Sequence, residues 1–109
     1  MEQMHLNGVW APALTPFYED GSVNTSEYER LVRFLLGQGL NGVFVGGTTG
    51  EFVNLTVEER QTLLAAARSG AGDAGGVLFN VTAMNLRDVQ RLMDFGRPHG
   101  AAAFSVTAP

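Results

Sequence analysis

Apolar residues recur along this chain in two alternating rhythms. Tyr28, Leu31, Val32, Leu35 and Leu36 fall at i, i+3, i+4, i+7 and i+8, a single stripe. That spacing predicts a helix with one face against a core. Asn24 and Ser26 can each cap its start, Glu27 or Glu29 can complete a capping box, and Gly37 and Gly39 offer stops. A second stripe of Val57, Leu63, Leu64 and Ala67 follows a Thr56 to Glu59 capping box. A third, of Leu86, Val89, Leu92, Met93 and Gly96, follows Asn85 as its cap. Between these helical periods lie short runs that predict strands: Val9 to Leu14, Gly42 to Val45, Val77 to Val81 and Ala102 to Val106. Pro12 interrupts the first run and would cost it a ladder hydrogen bond. Thr15 to Ser22 reads as a loop turning at Asp20-Gly21, and Ser69 to Gly76 as a glycine-rich connector.

The order is therefore βαβαβαβ, which predicts an α/β fold with a parallel sheet and right-handed crossovers. No linker or low-complexity segment divides residues 1–109, so one domain is expected.

Composition narrows the function classes. Seven basic residues against eleven acidic ones give a net charge of −4, which argues against a nucleic-acid or anionic-membrane partner. Cysteine is absent, which removes disulfides, zinc thiolates and thiol catalysis. No apolar run is long enough to span a bilayer, and Met1 to Asn7 lack the apolar core of a signal peptide, so a cytoplasmic location is expected. All seven basic residues are arginines, and without a lysine the chain cannot form a lysine Schiff base by itself.

The chemistry concentrates in Gly42-Val-Phe-Val-Gly-Gly-Thr-Thr-Gly-Glu51. Its glycines stand where a strand ends, and ligands of parallel α/β folds bind at the carboxyl ends of strands. Consecutive backbone N–H groups in such a turn can form an anion nest. Thr48 and Thr49 add two hydroxyls, one a donor and one able to relay a proton. The combination suits a small carboxylate or phosphate; a plain tight connection explains the glycines equally well. The segment is neither a P-loop nor a G-x-G-x-x-G fingerprint.

Several motifs together resemble the N-terminal part of the dihydrodipicolinate synthase and N-acetylneuraminate lyase family of class I pyruvate aldolases. They are Gly8-Val9 with Leu14-Thr15-Pro16-Phe17 and Asp20-Gly21-Ser22-Val23; Leu31-Val32 through Gly39, Gly42 and Val43; Gly46-Gly47-Thr48-Thr49-Gly50-Glu51-Phe52 with Leu55-Thr56-Val57-Glu58-Glu59-Arg60; and Ser105 to Pro109. The resemblance implies the N-terminal half of a (βα)8 TIM barrel, its first four strands and three helices. It implies a lyase that forms or cleaves a C–C bond of pyruvate or another 2-oxo acid through a lysine imine, with no cofactor and no metal. By position, Thr48 resembles the family's proton-passing threonine, and Thr49 the one whose hydroxyl and N–H hold the substrate carboxylate. Gly47 would lend backbone access beside them. Glu51 is assigned a structural role at the loop. The family's lysine and catalytic tyrosine belong to positions beyond Pro109, so the chain is expected to be inactive alone. Homo-oligomers are expected of the full-length family. Phe79-Asn80-Val81-Thr82 lacks the glycines most relatives carry there, and Ala108 stands where many have threonine.

Two other readings use the same residues. One is a non-catalytic half-barrel that binds small carboxylates or assembles with other chains. The other is a flavodoxin-like domain binding an anion at Gly46 to Gly50, which would place helices on both faces of the sheet. Trp10, Phe17 and Tyr28 are expected in packing, Tyr18 at a pocket mouth or in solvent, and Arg87 and Arg91 on a solvated helix face. His5 and His99 are expected to be surface residues that share no metal.

Overall fold

Polar caps start each of the three helices. The computed structural model describes residues 7–107. Asn24 accepts the Glu27 N–H at the head of α1 (Thr25–Gly37), and Asn85 accepts the Asp88 N–H at the head of α3 (Leu86–Gly96). The Thr56 hydroxyl and the Glu59 carboxylate complete the expected reciprocal box before α2 (Val57–Ala71). Each cap satisfies a donor that the first helical turn leaves unpaired.

The strands are β1 (Trp10–Pro12), β2 (Gly42–Val45), β3 (Gly76–Asn80) and β4 (Ala103–Ser105). They pair in parallel, in the order β1-β2-β3-β4. Trp10 lies opposite Gly42, Val43 opposite Val77, and Phe79 opposite Phe104. Sequential parallel strands joined by right-handed crossovers put all their helices on one face. This is the N-terminal half of a TIM barrel. It rules out the flavodoxin-like reading, whose strand order reverses at a switch point so that helices cover both faces.

Alternation along the strands sorts the side chains into two layers. Val43, Val45, Val77 and Phe79 point toward the helices and are buried with Tyr28, Val32, Leu63, Leu64 and Leu92. On the opposite face, the Trp10 ring lies across Gly42 and Gly76, where an added Cβ would come within 2.4 and 2.6 Å of it. Trp10 is thus a packing residue as expected, on the face away from the helices.

Several expected boundaries shift. β1 and β4 are only three residues long, because each pairs on one side alone. α2 runs through Ser69 and Gly70 to Ala71, where a stop was expected. Gly70 is retained there because α1 passes so close that an added Cβ would sit 2.6 Å from the Glu29 carbonyl oxygen. Leu86, expected on the inner stripe of α3, is 85% exposed. It opens the helix, and the buried stripe begins a turn later. A single 3-10 turn, Phe52–Asn54, was not foreseen.

Candidate functional site

The Gly46–Gly50 loop leaves the carboxyl end of β2, where the parallel sheet concentrates its ligand-facing edge. Gly46 starts it at φ +72°, a conformation that strains any residue with a Cβ. Glu51 ends it at φ 61°, so its structural role lies in a left-handed backbone. Gly46, Gly47 and Gly50 are buried, whereas Thr48 and Thr49 are exposed.

Four of the loop's five carbonyls are taken up. The Asn80 side-chain amide donates to the Gly46 carbonyl at 2.7 Å, and the Thr15 hydroxyl donates to that of Gly50 at 2.6 Å. The N–H of Phe52 reaches the Gly47 carbonyl at 3.3 Å, and that of Glu51 reaches Thr48 at 3.0 Å. The loop's donors are not taken up. Among the described residues, the N–H groups of Gly47, Thr48, Thr49 and Gly50 find no acceptor, nor do the hydroxyls of Thr48 and Thr49. Carbonyls mostly taken up and N–H groups left over produce a local positive potential that favours an anion.

Two buried polar residues support this rim. Asn80 is fully buried, and its oxygen accepts the Thr82 hydroxyl at 2.7 Å, the Thr82 N–H at 3.3 Å and the Ser105 hydroxyl at 3.4 Å. Arg60, 3% exposed, donates to the carbonyls of Asn80 at 2.6 Å and Thr82 at 2.7 Å. Its guanidinium lies 5.2 Å from the centre of the Phe52 ring. Burial pulls the Arg60 pKa down to about 10, and Asp88 opposes that shift only in part. Together Arg60 and Asn80 bind the ends of β3 and β4 to the loop after β2.

A cleft of about 720 Å³ lies beside this rim, lined by Phe52, Leu55, Arg60, Thr82, Met84 and Asp88 among others; Gly47, Thr48 and Thr49 do not line it. Of the three residues read from the sequence, Thr48 and Thr49 are exposed and Gly47 is buried under the Phe44 ring. Sequence reasoning did not assign Thr15, Arg60 or Asn80 to the site. The available signal was a polar Asn80 in an otherwise apolar strand run and an arginine on the inner side of α2. His99 is exposed, stacked on Phe95 and bonded to its carbonyl; His5, Ala108 and Pro109 lie outside the described residues. Tyr18 is exposed and Phe17 half-exposed. Arg91 is exposed and pairs with Glu58 and Asp88. Among the described residues no group of three or more histidines or carboxylates could hold a metal ion. No described helix is long and apolar enough to cross a membrane.

The N-acetylneuraminate lyase of Salmonella paratyphi B is 35% identical over 105 residues, covering 95% of this chain and 35% of that protein. The solved N-acetylneuraminate lyase (sialic acid aldolase) of Aliivibrio salmonicida superposes with a TM-score of 0.90 at 28% identity, over 95% of this chain and 35% of that one. A prophage protein of E. coli K12 belonging to the dihydrodipicolinic acid synthase family, solved in complex with pyruvate, gives 0.85 at 27% identity, over 94% and 35%. The chain thus spans about a third of the length of the relatives it matches. The model of the dihydrodipicolinate synthetase family matches residues 5–109, and the chain, half-barrel and Gly-Thr-Thr-Gly-Glu loop included, belongs to that family.

Proposed function

We propose that this chain carries the carboxylate-binding part of a lyase that forms or cleaves a C–C bond of a pyruvate-type 2-oxo acid. One observation carries the reading: among the described residues, four consecutive N–H groups and two hydroxyls stand unpaired at a strand's carboxyl end, while four of the loop's five carbonyls are taken up. Such an array complements a carboxylate. In this reading Thr49 holds the carboxylate through its hydroxyl and N–H. Gly47 allows the ligand close to the backbone. Thr48 passes a proton to or from the reacting centre. The imine-forming amine is no side chain of these 109 residues, which contain no lysine. The chain therefore binds the acid without turning it over. The pyruvate bound in the E. coli relative is in keeping with a ligand of this class.

Pyruvate titration followed by amide chemical shifts tests the reading. The resonances of Gly47 to Gly50 should move, and Thr49→Val should weaken binding about tenfold, the worth of one good hydrogen bond to a charged group. Borohydride with pyruvate should label none of its side chains. Unchanged affinity in Thr49→Val, or a borohydride-labelled side chain, defeats the assignment.

A further inference from the structure

The Gly46–Gly50 loop has no regular ladder to hold it, so its conformation depends on a few individual bonds, two of them from side chains. At its entry, the bond comes from Asn80. We propose that Asn80 is the positioning residue of the anion loop: its amide, seated on the Gly46 carbonyl, fixes the peptide plane that directs the Gly47 N–H toward the ligand side. This rests on the carboxylate reading above and adds to it the residue that sets the loop's donor geometry.

In a trans peptide the carbonyl and the next N–H point in opposite directions. Drawing the Gly46 oxygen onto Asn80 at 2.7 Å therefore turns the Gly47 N–H away from β3. Glycine on both sides of that peptide leaves its plane otherwise free to rotate. A flipped peptide would present a carbonyl where the loop now offers a donor, and a carboxylate would be repelled.

Asn80 is itself held so that it cannot turn. Its oxygen accepts from Thr82 twice and from Ser105 once, and Arg60 grips its backbone carbonyl. With the oxygen saturated and the residue fully buried, the side chain has no face to offer a ligand. It acts through the loop and does not touch the acid. The Thr15 hydroxyl plays the matching part at the loop's exit, on Gly50.

Asn80→Asp separates the donor from the acceptor. The introduced carboxylate still accepts from Thr82 and Ser105, but it cannot donate to Gly46. Protonated, it can. The test is amide NMR of the whole chain with sodium pyruvate as probe, at neutral pH and again at a pH low enough to protonate that carboxyl. In the ligand-free Asn80→Asp chain at neutral pH, the amides of Gly47 to Gly50 should shift and lose order while those of Val43 and Val45 hold. Pyruvate binding should fall about three- to tenfold relative to the parent. Both effects should reverse at low pH relative to the parent at the same pH. Ser105→Ala, which keeps the donor, should bind pyruvate like the parent. If Asn80→Asp fails to fold at neutral pH, recovery of the parent loop spectrum on acidification supports the proposal, and a folded acid form with a displaced loop overturns it. A loop spectrum unchanged by Asn80→Asp in the free chain overturns it whether or not pyruvate binds. Pyruvate that moves no loop amide in the parent defeats the carboxylate reading instead, and with it the ligand half of this proposal.

Discussion

Replacing Arg60 by methionine keeps much of the side chain's apolar length and removes its head group. Two short bonds from a cation to the carbonyls of Asn80 and Thr82 disappear. Bonds of that kind contribute about 1.5–3 kcal/mol each. The contact with the Phe52 ring adds about 0.5–2 kcal/mol. Against this stands the cost of burying the charge. A pKa pulled by burial from its ordinary value down to about 10 corresponds to about 3 kcal/mol. The net expectation for Arg60→Met is a loss of about 0.5–5 kcal/mol, at its upper end a large share of the ~5–15 kcal/mol that holds a typical domain together. Urea unfolding followed by far-UV circular dichroism measures it. Arg60→Lys should fall between, because an ammonium cannot reach both carbonyls with a planar fork. The pH dependence has a definite sign. Below about pH 9 the guanidinium is protonated in both folded and unfolded chains, so the loss should be the same at pH 6 and pH 9. Above about pH 10 the folded state gives up its proton first, the unfolded state binds more, and the cost of burial fades as pH rises. A loss below about 0.5 kcal/mol, or one that changes between pH 6 and 9, would refute the view that Arg60 works by gripping two strand-end carbonyls.

Two further substitutions probe the packing. Tyr28 is fully buried and its hydroxyl has no partner among the described residues, so Tyr28→Phe should leave stability unchanged or raise it by up to about 2 kcal/mol. Burial also holds the Tyr28 phenol well above its usual range, so the variant should lose less stability above about pH 10, where only the unfolded phenol ionises. A destabilised variant in urea melts would mean the hydroxyl has an acceptor. Gly42→Ala should cost about 1–3 kcal/mol, because the new methyl would meet the Trp10 ring at 2.4 Å and the Gly76 carbonyl at 2.7 Å. A neutral result in the same melts would show that the indole can leave its seat.

The helices were largely legible in the sequence because their signals are local. Tyr28, Val32 and Leu36 recur at the helical period and are buried, and the caps at Asn24, Thr56 and Asn85 form as their residue types require. β2 was read to the residue, since an apolar run ends abruptly at glycines on both sides. The outer strands were overestimated because apolar residues continue past the point where a neighbour pairs them: Val9 and Leu14 are both 63% exposed. Gly70 read as a helix end, yet the approach of another helix is what requires a glycine there. The loop was legible as a donor array, but its fastening was not. Thr15, Arg60 and Asn80 lie 20 to 35 residues from the groups they hold, and no periodicity encodes that separation.

Trp10 is the only tryptophan in the chain, and it lies on the face of the sheet that the helices leave uncovered. Its emission is therefore a built-in optical reporter for that surface. Whatever comes to rest against the indole, whether solvent, ligand or protein, will set the colour of its fluorescence, with no label added.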